Sequence, residues 1–111
     1  MQLTEEKSMS NFVRDCLNGD ALLDEIDDYI DQWHDGDGNE PIYNFLGLTE
    51  KEYSMWVQKP DILPFLVTAH KENSKVEDIL SRTVLSMAAR SDYFDRARQL
   101  EQWLKQKGLW D

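Results

Sequence analysis

DALLDEIDDYIDQWH, residues 20–34, has two opposed sides when wound as a helix. Leu22, Leu23, Ile26, Tyr29, Ile30 and Trp33 recur at three- and four-residue steps and form one apolar stripe. Asp20, Asp24, Asp27, Asp28 and Asp31 fall on the other side at the same steps, and Asp35 and Asp37 continue the row. No Lys or Arg lies between Asp15 and Glu50. Like charges one helical turn apart repel by roughly 0.2–0.5 kcal/mol per pair. Solubility alone needs no such cost, since mixed signs would serve it as well. A ridge of one sign therefore reads as a docking surface for something basic.

The rest of the chain fits a helical frame. It has 111 residues, 41% of them hydrophobic, with four each of Trp, Tyr and Phe. That suffices for one modest core and argues against global disorder. Three prolines, five glycines and no long alternating stretch favour helices over a β fold. We expect an all-α, compact bundle of six or seven short helices. It would be one domain over 1–111, with acidic helices and a helix-turn-helix-like corner in 1–70 and a C-terminal helical hairpin in 76–111.

The expected elements follow in order. A first helix spans Thr4–Asn18, with Met9, Phe12, Val13, Cys16 and Leu17 inward, and stops at Asn18-Gly19. Asp20 caps the second. That helix ends near Trp33 or His34, His34–Pro41 is a loop, and Ile42–Leu46 is a short helix ending at the Gly47-Leu48 turn. Thr49 and Glu52 make a T-x-x-E capping box for a helix that carries Tyr53, Trp56 and Val57 and ends before Pro60. Asp61 caps Ile62–His70, which turns Leu63, Leu66 and Val67 inward. After a polar break at Lys71–Lys75, a candidate hinge, Ser74 and Glu77 repeat the capping box. Val76–Ala89 buries Val76, Ile79, Leu80, Val84 and Met87. The last helix, capped by Ser91 or Asp92, buries Phe94, Ala97, Leu100 and Leu104 and closes at Gly108, with Leu109 and Trp110 pinned back on the core.

Charge narrows the function. Net charge is −10, and residues 1–40, with twelve acids and two bases, carry all of it. That disfavours direct nucleic-acid binding through this segment and suits steering toward a basic protein. The single cysteine, Cys16, excludes an internal disulfide and a cysteine zinc cluster, and its position on an apolar stripe suits a small core residue. The first ten residues lack a basic start and an apolar run, and no stretch approaches the length of a membrane span. A cytoplasmic protein that does not engage membranes is the expectation.

Other constellations are weaker. The loop Asp35-Gly36-Asp37-Gly38-Asn39-Glu40 imitates the start of a calcium loop, but its sixth position holds Glu40 and its twelfth Leu46, where Gly and a bidentate carboxylate are needed. His34 and His70 each end a helix, where the dipole favours a cation, and no i, i+4 His pair exists. No nucleophile motif, phosphate loop or dinucleotide fingerprint occurs. We therefore expect no catalytic residues, no metal, no cofactor and no enzymatic activity. PIYNFLGLTEKEYSMWV, residues 41–57, has the outline of a DNA-reading helix-turn-helix, and a DNA-binding transcriptional regulator is the alternative function. Its second helix offers Lys51 as the only clear cation, between Glu50 and Glu52.

Asp28-Tyr29-Ile30-Asp31-Gln32-Trp33-His34, followed by Phe45-Leu46-Gly47-Leu48-Thr49-Glu50-Lys51-Glu52-Tyr53-Ser54-Met55-Trp56-Val57, resembles a group of small, mostly uncharacterised bacterial and phage proteins. These share D-Y-I-D-x-W-H, then F-L-G-L-T-x-x-E-Y-x-x-W-V; the likeness covers roughly residues 25–70. It implies an antitoxin or an inhibitor. The expected function is then a protein-binding regulator that neutralises a basic partner, a toxin or a nucleic-acid enzyme. The acidic helix face could do so by mimicking DNA. Asp24, Asp27, Asp28, Asp31 and Asp35 would pair with its cations, and Trp33, Tyr53 and Trp56 would supply apolar anchors. A homodimer is compatible with this reading.

Overall fold

In a computed structural model of the chain, the residues described are 11–36, 39–85 and 92–110. Among them are seven α-helices and no strand, so the fold class is all-α. The helices are α1 (Phe12–Asn18), α2 (Ile26–Asp35), α3 (Ile42–Leu46), α4 (Glu50–Gln58), α5 (Leu63–Glu72), α6 (Val76–Leu85) and α7 (Asp92–Gln106). Turns of 3-10 helix at Leu23–Glu25 and Pro60–Ile62 lead into α2 and α5. The helices gather into two compact units, residues 1–54 and 55–111.

In the first unit, α3 packs on both α1 and α2. Phe12, Val13, Ala21, Ile26, Leu46 and Leu48 are its buried apolar residues. The Asn18-Gly19 stop forms as the sequence indicates: Gly19 adopts a left-handed φ of 82°, and the amides of Gly19 and Asp20 bond back to the carbonyls of Cys16 and Asp15.

The start of α1 departs from expectation. Asn11 is extended, at φ −141° and ψ 177°, and its Oδ1 accepts the Arg14 amide at 2.7 Å. An asparagine that captures an orphan amide opens a helix there, so no single helix runs from Thr4 to Asn18. Residues 4–10, Met9 among them, lie outside the described part. Asn11 also fixes Gly47, which sits at φ 92°; a Cβ built there would fall 2.4 Å from Asn11 Oδ1.

The second helix also starts later than the sequence suggests. Residues 20–22 are not helical, Leu22 precedes the 3-10 turn in an extended conformation, and no side chain caps that turn. Asp20 is therefore not a cap, and Leu22, 67% exposed, is not on the buried stripe. Leu17 is likewise 40% exposed, because the chain reverses at Gly19 before anything can cover the last turn of α1.

The capping box at α4 is complete. Glu52 Oε1 accepts the Thr49 amide at 2.9 Å, and Thr49 Oγ1 accepts the Glu52 amide at 3.1 Å. Met55 is buried, Tyr53 and Trp56 are half-buried, and Val57 is 56% exposed.

In the second unit, α6 packs against both α5 and α7. Met55, Ile62, Phe65, Leu66, Ala69, Val76, Ile79, Leu80, Ala97, Leu100 and Leu104 form one apolar cluster. Burial of each large side chain there contributes roughly 1.5–3 kcal/mol. Trp56, Val84, Trp103, Leu109 and Trp110 pack against its margin, so the C-terminal Leu109 and Trp110 are indeed held on the core. Asn73, left-handed at φ 55°, closes α5 where the sequence shows a polar break. Asp61 does not cap α5; it faces Arg96 at 3.9 Å. The end of the helix expected over Val76–Ala89, with Met87, and the Ser91 or Asp92 cap lie outside the described side chains.

A candidate docking face on the acidic helix

The geometry of α2 follows from its pattern. Ile26 is buried, and Leu23, Tyr29, Ile30 and Trp33 are half-buried, so the apolar side faces its own unit. That orientation sends Asp24, Asp27, Asp28, Asp31 and Asp35 outward, and all five are exposed. Asp20 is exposed as well. Among the described residues, none of the five takes part in an ion pair or a side-chain hydrogen bond. Arg82 pairs with Glu72 and Arg96 with Asp61, both within the second unit. Arg90 lies outside the described residues.

Charge separates sharply between the units. Residues 1–54 hold fourteen acids and three bases, a balance of −11; residues 55–111 hold eight acids and nine bases, a balance of +1. A unit so charged attracts cations over a Debye length, about 8 Å at physiological salt.

The aromatic candidates divide. Trp33 is half-buried, and its indole N–H donates to the Glu40 carbonyl at 2.8 Å, while the Asn44 amide donates to the Glu40 carboxylate at 2.8 Å. Trp33 thus fastens the loop after α2, and its ring meets His34 edge-on at 5.1 Å. Tyr53 is half-buried in the first unit, and Trp56 lies against the core of the second. Only Trp33 shares a helix with the aspartates.

Tyr29 and Asp15, unmarked by the sequence as a pair, hold α2 to α1. The Tyr29 hydroxyl donates to Asp15 Oδ2 at 2.5 Å, and Phe12 meets the Tyr29 ring edge-on at 5.1 Å. Burial, then the bond to Asp15, pushes the Tyr29 phenol well above its ordinary range. Cys16 is half-buried, and burial, with the charges of Asp15 and Glu25 behind it, pushes its thiol up. A thiol so held stays protonated at neutral pH and is a poor nucleophile.

Among the described residues, no group of three or more His, Cys, Asp or Glu side chains is arranged to hold a metal ion, and no helix is long and apolar enough to cross a membrane. Asp37 and Gly38 of the calcium-like loop lie outside the described residues. His34 is exposed in the last turn of α2, and His70 lies half-buried in the last turn of α5. Comparison with known protein families, with curated proteins and with solved structures finds no match.

Proposed function

We propose that the protein is a binding regulator that neutralises a basic bacterial or phage partner in the cytoplasm through the acidic face of α2. The carrying observation is the row Asp24, Asp27, Asp28, Asp31 and Asp35, exposed and unpaired among the described residues along α2 and the 3-10 turn that leads into it, on a helix whose other side is held by its own unit. The row contacts Lys and Arg of the partner, and occupancy of the partner's surface is the mechanism. An antitoxin fits this description, and so does a phage-encoded inhibitor of a nucleic-acid enzyme. In the inhibitor case the carboxylates stand where phosphates would.

The test is a triple reversal, Asp27→Lys, Asp28→Lys and Asp31→Lys. Helicity by circular dichroism stays intact, and a basic protein captured by the wild type from a bacterial lysate no longer co-purifies. With the captured protein in hand, the wild-type on-rate falls as salt rises. Capture that survives the reversal, with a salt-independent on-rate, overturns the proposal.

A further inference from the structure

Among the described residues, the two units differ in what holds them. The first has six buried apolar side chains and the second thirteen. The helices packed together in the first, α1, α2 and α3, are seven, ten and five residues long. Helices so short are not stable alone in water, so they depend on that small core. Charge then acts against the smaller core, since the first unit carries −11 and the second +1. On α2, Asp31 lies one turn from Asp27, Asp28 and Asp35, so three like-charged pairs meet at one exposed side chain. In the second unit, by contrast, Arg82, Arg96 and Lys105 each pair with a carboxylate.

We infer that the first unit is a conformational switch set by ionic strength: α1, α2 and α3 open together while α5, α6 and α7 stay folded, and salt closes them. Local opening of one cooperative unit ahead of the rest is how unequal stability shows itself in a folded chain. The reach of the charges decides how often it happens. At about 0.01 M salt the Debye length, ~30 Å, extends across a unit of this size, and each carboxylate feels all the others. At about 1 M it is ~3 Å, less than the ~5.4 Å turn between neighbouring aspartates. Each like-charged pair shifts the opening equilibrium by a factor of about 1.4–2.3, so the three at Asp31 shift it about 3- to 13-fold. This opening needs no partner on the ridge, and it can fail while the docking reading stands.

The experiment is native-state amide hydrogen exchange on the full chain, read residue by residue by NMR at about 0.01 M and about 1 M NaCl. At the lower salt, amides of α1 and α2 are less protected than those of α5 and α6. At the higher salt, the ratio of first-unit to second-unit protection rises at least about threefold. The ratio cancels effects of salt that both units share. Asp31→Asn, at an exposed position, removes all three like-charged pairs. It raises first-unit protection about 3- to 13-fold at the lower salt and reduces the response to salt. Equal protection of the two units at the lower salt, or a ratio that salt leaves unchanged, overturns the switch. So does an Asp31→Asn variant that exchanges like the wild type at the lower salt.

Discussion

The Tyr29 hydroxyl bonds to the Asp15 carboxylate at 2.5 Å and ties α2 to α1 across fourteen residues of sequence. Hydrogen bonds to charged acceptors contribute more than neutral ones, and partial exposure reduces the gain. Tyr29→Phe should therefore lower stability at neutral pH by about 1 kcal/mol, read as a fall in urea midpoint without a change in slope. The pH dependence has a definite sign. Folding raises the Tyr29 pKa, so its contribution is whole below the unfolded value, near 10, and is lost as pH climbs toward the folded value. The gap between wild type and Tyr29→Phe should narrow above about pH 10. A gap that widens there would contradict the assignment.

Gly47 and Gly19 both have positive φ, but only Gly47 is crowded, by Asn11. Gly19→Ala should cost about 1–2 kcal/mol, from the left-handed backbone alone. Gly47→Ala should cost about 3 kcal/mol, because Asn11 must also move and release the Arg14 amide. Adding Asn11→Ala to Gly47→Ala should cost little more, so the two changes are strongly non-additive in thermal melts.

The capping box predicts another pair of results. Thr49→Ala should destabilise by about 1 kcal/mol, and Thr49→Ser should restore most of it. Equal melting of the alanine and serine variants would mean that the hydroxyl is idle.

Asp35 is the last residue of α2, where the helix dipole disfavours an anion, and Asp31 lies one turn before it. Asp35→Asn should raise stability by roughly 0.3–1 kcal/mol. Added salt should stabilise the wild type more than the variant. A substitution that strengthens the fold and weakens partner capture is the pattern expected of a residue kept for binding.

Much of this was legible in the residues. Thr49-x-x-Glu52, Asn18-Gly19 and the periodic apolar positions from Ile62 to Leu80 depend on local chemistry, which spacing reveals. The outward course of the aspartates followed from the same periodicity. Other features turn on competition between neighbours. Asn11, inside an apparently continuous stripe, captured an amide that a longer helix would have bonded internally. Asp20 does not cap because helical turns begin only at Leu23. Which residue of α4 is buried, Met55, depends on how far the helix rotates against its surroundings, which its own sequence leaves open. The Trp33–Glu40 and Tyr29–Asp15 bonds join residues whose proximity exists only after the helices have packed.

Trp33 and Glu40 close a small ring of chain at the end of the acidic row. The other three tryptophans, Trp56, Trp103 and Trp110, belong to the second unit. With those three replaced by Phe, the emission colour of the remaining indole becomes an intrinsic gauge of whether that ring is shut. A visitor that pries it open would announce itself by a red shift, with no dye attached.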